Sequence, residues 1–124
     1  MATLSSVVTL ISRERKRAVT ASTSTISIDL NTGDQASVFK LTLSANTTLT
    51  FTNPPPVPNG ETFSFVLMTL NDATAGRALA FGNTIKWAGG IVPPRNTSAN
   101  SLSVWTFLIE NGVYYGSLSI DDAK

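Results

Sequence analysis

Residues 39–90 decide the fold, and they read FKLTLSANTTLTFTNPPPVPNGETFSFVLMTLNDATAGRALAFGNTIKWAGG. Apolar residues alternate with polar ones along most of this stretch, which is the period of a half-buried β-strand. Two segments interrupt the alternation, NPPPVPNG at 53–60 and NDATAG at 71–76. Their prolines, glycines and Asn or Asp residues favour tight reversals. The stretch therefore predicts short strands joined by turns.

The same period continues on both sides of this stretch. Residues 26–30 alternate before it, and residues 102–109 alternate after it, with Asn111-Gly112 as the strongest hairpin signal of the chain. The pattern amounts to about eight short strands with frequent turns, as in sandwich folds. We therefore expect an all-β protein, namely an antiparallel β-sandwich or jelly-roll-like domain with an extended N-terminal arm.

The segment Phe63–Leu70 differs from the other strands because its second half is apolar at nearly every position. Continuous apolarity indicates burial on both faces, so this segment is the predicted central strand, covered by a second sheet or by another copy of the chain. Val66, Met68 and Leu70 are accordingly predicted at a subunit interface. Trp87, which precedes three small residues at a strand end, is predicted to join them.

The N-terminal part of the chain carries its one concentrated charge. Residues 1–24 are predicted to form a basic arm or linker, and residues 25–124 the sandwich domain. The basic residues of the arm are Arg13, Arg15, Lys16 and Arg17. Such an arm can dock on an acidic protein surface, bind nucleic acid or remain a solvated linker. Docking is favoured, and nucleic acid ranks last because no aromatic residue lies nearby to stack on bases.

Composition excludes several kinds of site. The chain has no Cys and no His, which removes disulfides, thiolate or imidazole metal sites and a Ser-His-Asp triad. The carboxylates are scattered over turns and termini, and nothing in the sequence marks the paired acids of a glycosidase. No segment is long enough to span a bilayer. The prediction is a protein that is not an enzyme, binds no cofactor and has no membrane partner.

Two further groups of residues have alternative interpretations. Asp72 and Arg77 flank the turn at 73–76, where a local ion pair across the turn is preferred over a ligand site. The aromatic residues allow either a sugar-binding platform or a core. Trp105 is assigned to the core, whereas Trp87 and Tyr114 are the candidates for exposed binding groups.

Four segments in order resemble a domain of tailed-bacteriophage virion proteins. They are FKLTLSANTTLTFTNPPP at 39–56, FSFVLMTLNDATAGRALAF at 63–81, IKWAGGIVPP at 85–94 and NSLSVWTFLIENGVYYG at 100–116. The chain departs from the family pattern in its longer proline loop, in Phe81 where tryptophan is usual, and in a tighter closing turn. The resembling region covers roughly residues 26–120 and excludes the arm.

The resemblance implies a β-rich structural domain of a phage particle, assembled as a homotrimer and without catalytic residues. The domain occurs in tail fibres and in capsid fibres or decoration proteins, so the expected location is the virion, on the capsid exterior or the tail. A chain of this length suggests a capsid decoration (cement) protein or short head fibre, docked through the basic residues of its arm on the capsid surface and bound to the major capsid protein or another virion protein. The alternative is a tail-fibre module that recognises host surface glycan.

Overall fold

The computed structural model describes residues 15–31 and 36–123, which form nine β-strands and one short 3-10 helix, Ala88–Gly90. The strands are β1 (Lys16–Ala21), β2 (Thr25–Asp29), β3 (Val38–Leu43), β4 (Thr47–Thr52), β5 (Phe63–Asn71), β6 (Leu79–Phe81), β7 (Ile85–Lys86), β8 (Leu102–Glu110) and β9 (Val113–Ala123). They belong to a six-stranded sheet in the order β1-β3-β5-β8-β9-β7 and a three-stranded sheet in the order β2-β4-β6.

The chain coils around its own core as a β-solenoid of about four turns. Successive strands from β1 to β6 alternate between the two sheets, and each of β1 to β4 pairs in parallel with the strand one coil further on. Lys16 lies beside Val38, and Val38 beside Val66. In the six-stranded sheet β8 pairs in antiparallel fashion with β5 and with β9, and β7 pairs in parallel with β9 at the edge. The six-stranded sheet is therefore mixed, whereas the three-stranded sheet is parallel throughout.

The predicted antiparallel sandwich or jelly roll is wrong. Period-two alternation is the same in parallel and antiparallel strands, so it could not distinguish the two folds. The connections at 22–24 and 44–46 are only three residues long, a length that also suits a hairpin. In the protein they are corners that carry the chain from one sheet to the other. Parallel pairing follows because each coil repeats the same direction.

The first strand lies within the segment predicted as an exposed arm. Lys16–Ala21 pairs in parallel with β3 along its whole length, so these residues form the first strand of the six-stranded sheet. Ala21 is fully buried, and its burial at the end of β1 fixes the strand in the solenoid. The remaining arm residues 1–14, which include Arg13, lie outside the described residues.

The core fills the space between the two sheets. On β3 the residues Phe39, Leu41 and Leu43 point inward, and on β8 Trp105 and Phe107 do so. Each of these side chains alternates with a more exposed neighbour, which is the pattern of a sheet with one covered face. The predicted core position of Trp105 is confirmed, since it is only 1% exposed. Its indole Nε1 donates a hydrogen bond of 3.1 Å to Thr69 Oγ1.

A buried polar cluster fixes the long connection from β7 to β8. The side-chain amide of Asn71 donates to the carbonyls of Asn96 and Ser98 at 3.1 and 2.8 Å. Arg95 donates to Asn71 Oδ1 at 2.7 Å and to the Arg77 carbonyl at 2.6 Å. Burial lowers the pKa of Arg95, although the charge of Asp121 partly opposes this. The cluster provides partners for groups that would be costly to bury alone.

The predicted ion pair across the turn after β5 is present. Arg77 Nε and Nη2 donate to the two carboxylate oxygens of Asp72 at 3.2 Å each. Asp72 also accepts the Thr74 N–H at 3.1 Å, and Gly76 adopts a φ of 90°. The hydrogen bonds from Arg77 hold the pKa of Asp72 below its ordinary value, despite an opposing effect of burial.

Arg77→Ala should therefore raise the pKa of Asp72 toward its ordinary value of 3.8, because the carboxylate loses its cationic partner. The folded pKa lies below the unfolded one, so the stabilisation is present above the unfolded pKa and is lost as the pH falls through the folded pKa. Carboxyl-carbon NMR titration measures the shift. An Asp72 pKa that stays the same in Arg77→Ala would show that the pair has no effect.

Candidate functional site

The described basic residues of the predicted arm differ in exposure, because the side chains of β1 alternate between its two faces. Arg15 and Lys16 are exposed, whereas Arg17 is half-buried with its guanidinium 5.6 Å from the centre of the Phe39 ring. Arg17 Nη1 also lies 3.4 Å from the Asp29 carbonyl. The structure therefore places Arg17 against the solenoid and leaves Arg15 and Lys16 on the surface. Docking of these residues on another virion protein stays a prediction.

The predicted interface residues of β5 share one side of the six-stranded sheet. Val66, Met68 and Leu70 are half-buried and alternate with the buried residues Phe65 and Leu67. Their side chains therefore lie on the outer side of the sheet, away from the protomer's own core. The strand occupies a central place between β3 and β8, as predicted for this segment.

Trp87 is placed differently from these three residues. It is only 9% exposed and belongs to the core. Its ring contacts Trp105 with a centroid distance of 5.7 Å and Phe81 with one of 5.5 Å. Because these contacts lie within the chain itself, the structure places Trp87 in the core and not on an outer surface.

Neighbouring strands extend the apolar surface around Met68. The pairing places Lys40 on one side of Met68 and Val104 on the other, with Ile120 beside Val104. Leu108, Tyr115 and Ile120 on this side are 38, 39 and 51% exposed, so large apolar groups are presented to the outside. The apolar face comprises Val38, Val66, Met68, Leu70, Leu102, Val104, Leu108, Tyr115 and Ile120. The hydroxyl groups of Thr106, Ser117 and Ser119 lie on the same side, between the Val104–Ile120 pair and the Leu108–Tyr115 pair.

The outer side of the three-stranded sheet has the opposite character. It presents a hydroxyl face of Thr25, Ser27, Thr48, Thr50 and Thr52. Ser27 pairs with Thr50, and Thr25 with Thr48, so the hydroxyl-bearing side chains align across the strands. Threonine and serine suit a strand surface in contact with water. The solenoid thus has one outer side suited to association and one suited to solvent.

The aromatic residues do not form the sugar platform considered from the sequence. Trp87 is buried, and Tyr114 is half-buried with its ring stacked near Phe51 at a centroid distance of 6.4 Å. Burial raises the pKa of Tyr114. Tyr115 is exposed but lies on the apolar face. These positions favour packing roles for Trp87 and Tyr114.

A groove missed by the sequence interpretation lies at one corner of the solenoid. The pairing of Phe63 with Ile109 brings the end of the proline loop next to the β8–β9 turn. Glu61 and Glu110, far apart in sequence, consequently line one open cavity of about 450 Å³. The only available signal was that both residues flank strands. No group of metal-ligating side chains occurs in the ranges 15–31 and 36–123, and no helix there is long and apolar enough to cross a membrane.

A short β-solenoid with one apolar outer side defines a structural module suited to assembly. The chain belongs to the family described as "Putative phage tail fibre C-terminal domain", whose model matches residues 19–115. This match confirms the resemblance to phage virion structural proteins and favours the tail over the capsid exterior. Searches of curated proteins and of solved structures return no match to the chain.

Proposed function

We propose that this chain is a tail-fibre module that assembles with copies of itself, as a homotrimer, through the apolar face. The observation that carries the proposal is the contrast between the two outer sides of the solenoid. One side exposes Leu108, Tyr115 and Ile120, whereas the other exposes Thr25, Ser27 and Thr48. Large apolar side chains gathered on one outer side mark contact sites between proteins. The trimeric number comes from the family resemblance.

The mechanism is assembly by burial of apolar surface, repeated by symmetry. Full burial of an exposed Leu, Ile or Met side chain contributes about 1.5–3 kcal/mol, the partly exposed side chains of this face contribute a fraction of that each, and every copy contributes the same set. Lys16 lies beside the apolar face on β1, where it can contact the solvated rim of an interface. Lys40 lies within this side of the sheet, next to Met68. In this proposal the chain acts by binding and needs no catalytic step or cofactor.

The second part of the proposal is recognition of host surface glycan by the loops at the corners. Loops held on a rigid scaffold commonly carry binding residues, and the corner at 53–62 and 111–112 lies at the strand ends, beside the apolar face. Assembly through the sheet therefore leaves these loops available. The family match, which describes a tail fibre, supports this function over capsid decoration.

Antibody labelling of phage particles tests the location. Gold particles should lie on the tail, at its fibres, because the chain acts there in this proposal. Particles from a phage that lacks the gene are the control for non-specific labelling. Labelling distributed over the capsid shell would contradict the tail-fibre assignment and would favour capsid decoration as the function.

A further inference from the structure

The groove at the corner of the solenoid has two adjacent parts. One cavity of about 450 Å³ is lined by residues of the 57–61 segment, Glu110 and Asn111. A second cavity of about 300 Å³ is lined by Pro54–Val57, Ile109, Asn111 and Gly112. The two share Val57 and Asn111 in their walls, so they lie side by side, and together they are termed the groove. Each lies within or near the size range of small-ligand sites, and together they suit a chain-like ligand rather than a single compact one.

The two ends of the groove have complementary chemistry. Asn59, Glu61, Glu110 and Asn111 supply carboxylate acceptors and amides that both donate and accept hydrogen bonds. The other end supplies the C–H surface of the prolines and of Ile109. A sugar has the matching features, because its hydroxyls are donors and acceptors while its ring carbons form an apolar surface. An oligosaccharide spanning several rings would contact both ends.

Charge narrows the class of glycan. Among the described residues, those that line the two cavities include two glutamates and no lysine or arginine. Carboxylates accept hydrogen bonds from hydroxyls strongly, but they repel the acidic groups of uronates, sialic acids and phosphorylated sugars. The groove is therefore suited to neutral oligosaccharides.

The walls of the groove are stiff. Pro54, Pro55, Pro56 and Pro58 restrict the backbone of one wall. The opposite wall is the β8–β9 turn, where Asn111 and Gly112 have φ of 53° and 78°, as a two-residue hairpin requires. A site formed before the ligand arrives loses little conformational freedom on binding.

From these features we infer that the groove between the proline loop and the β8–β9 turn binds a neutral oligosaccharide of the host surface. This inference rests on the proposed tail-fibre function and assigns its glycan site. The residues expected to contact the sugar hydroxyls are Asn59, Glu61, Glu110 and Asn111. The wall formed by Pro54–Val57 contacts the carbon face of a ring.

An array of bacterial surface glycans, probed with the fluorescently labelled full chain, tests the inference. The glycans that bind should be neutral, and their acidic counterparts should bind at least tenfold more weakly. Glu61→Gln and Asn111→Gly should each weaken binding at least tenfold, since both remove contacts while glycine retains the turn conformation. Lys86→Gln is the control, because it changes the charge of an exposed residue outside the lining and should leave binding unchanged.

Three outcomes overturn the inference. If the chain binds only acidic glycans, the charge argument is wrong. If both groove variants bind glycan as well as the unchanged protein does, the chain still acts as a receptor-binding module but its glycan site lies elsewhere. A chain that labels the tail and assembles normally, yet binds none of the glycans, retains the fibre assignment and loses the glycan site. Shortened oligosaccharides after incubation would show hydrolysis by paired carboxylates and would contradict a site for binding alone.

Discussion

Met68→Glu should convert the assembled protein into a folded monomer. Met68 lies at the centre of the apolar face, between Lys40 and Val104. The introduced carboxylate can pair with Lys40 across the strands, so the monomer should lose little stability. Burying this carboxylate together with Lys40 against a neighbouring copy removes both charges from water, which costs several kcal/mol and corresponds to a dissociation constant raised about 100-fold or more. Sedimentation equilibrium measures the mass, expected to fall from three chains to one chain of 13.1 kDa.

Two variants make this experiment decisive. Leu108→Glu changes a side chain that is already 38% exposed, so it should dissociate the copies with even less effect on folding. Ser27→Glu places the same charge on the hydroxyl face and should leave the mass unchanged. If Ser27→Glu dissociates the protein while Met68→Glu does not, the copies associate through the three-stranded sheet and the proposed interface is incorrect.

Trp105→Ala should cause the largest loss of stability in the protomer, about 3–5 kcal/mol for a buried tryptophan. Trp105 is 1% exposed and packs against Phe81 and Trp87 at centroid distances of 5.1 and 5.7 Å. The substitution leaves a cavity and removes the hydrogen-bond donor to the fully buried Thr69. Small domains are stable by only about 5–15 kcal/mol, so a large part of the total would be lost.

Urea unfolding followed by circular dichroism measures this loss. The Met68→Glu background keeps assembly from contributing to the apparent stability. Tyr115→Ala in the same background is the matched control, since Tyr115 is an aromatic residue of the same sheet that is 39% exposed. Its substitution should cost less than about 1 kcal/mol, as is usual for surface positions. Equal losses for the two variants would contradict the central place of Trp105 in the core.

Local patterns of the sequence were sufficient to predict individual strands and turns. Alternation placed Trp105 in the core, Asn111-Gly112 formed the expected hairpin turn, and the Asp72–Arg77 pair closed its turn. These features depend on residues close in sequence or on the two-residue period. Local contacts and the two-residue period can be predicted without knowing which strands pair with each other.

The solenoid path of the chain could not be predicted from these local sequence patterns. Thr25-Ile26-Ser27-Ile28 and Thr48-Leu49-Thr50-Phe51 occupy equivalent positions in successive coils, but the same alternation describes any one-sided strand. The basic residues Lys16 and Arg17 resembled a linker because β1 has few large apolar residues. β1 is held in the sheet by its pairing with β3, and not by large apolar side chains of its own.

The groove depended on long-range register and was therefore missed. Glu61 and Glu110 come together only because β5 and β8 pair with Phe63 opposite Ile109. No spacing rule connects two residues so far apart in the sequence. By contrast, the outer position of Val66, Met68 and Leu70 was predictable, because a strand that is apolar on both sides must have something against each.

Cryo-electron microscopy of the tail fibre in the phage particle tests the central claim most directly. The account predicts copies of the solenoid packed around one axis, with Met68, Val104 and Ile120 turned toward neighbouring copies and Thr25, Ser27 and Thr48 turned toward solvent. Fibre density in which the hydroxyl face forms the contacts, or in which the apolar face of every copy is exposed to solvent, would contradict it.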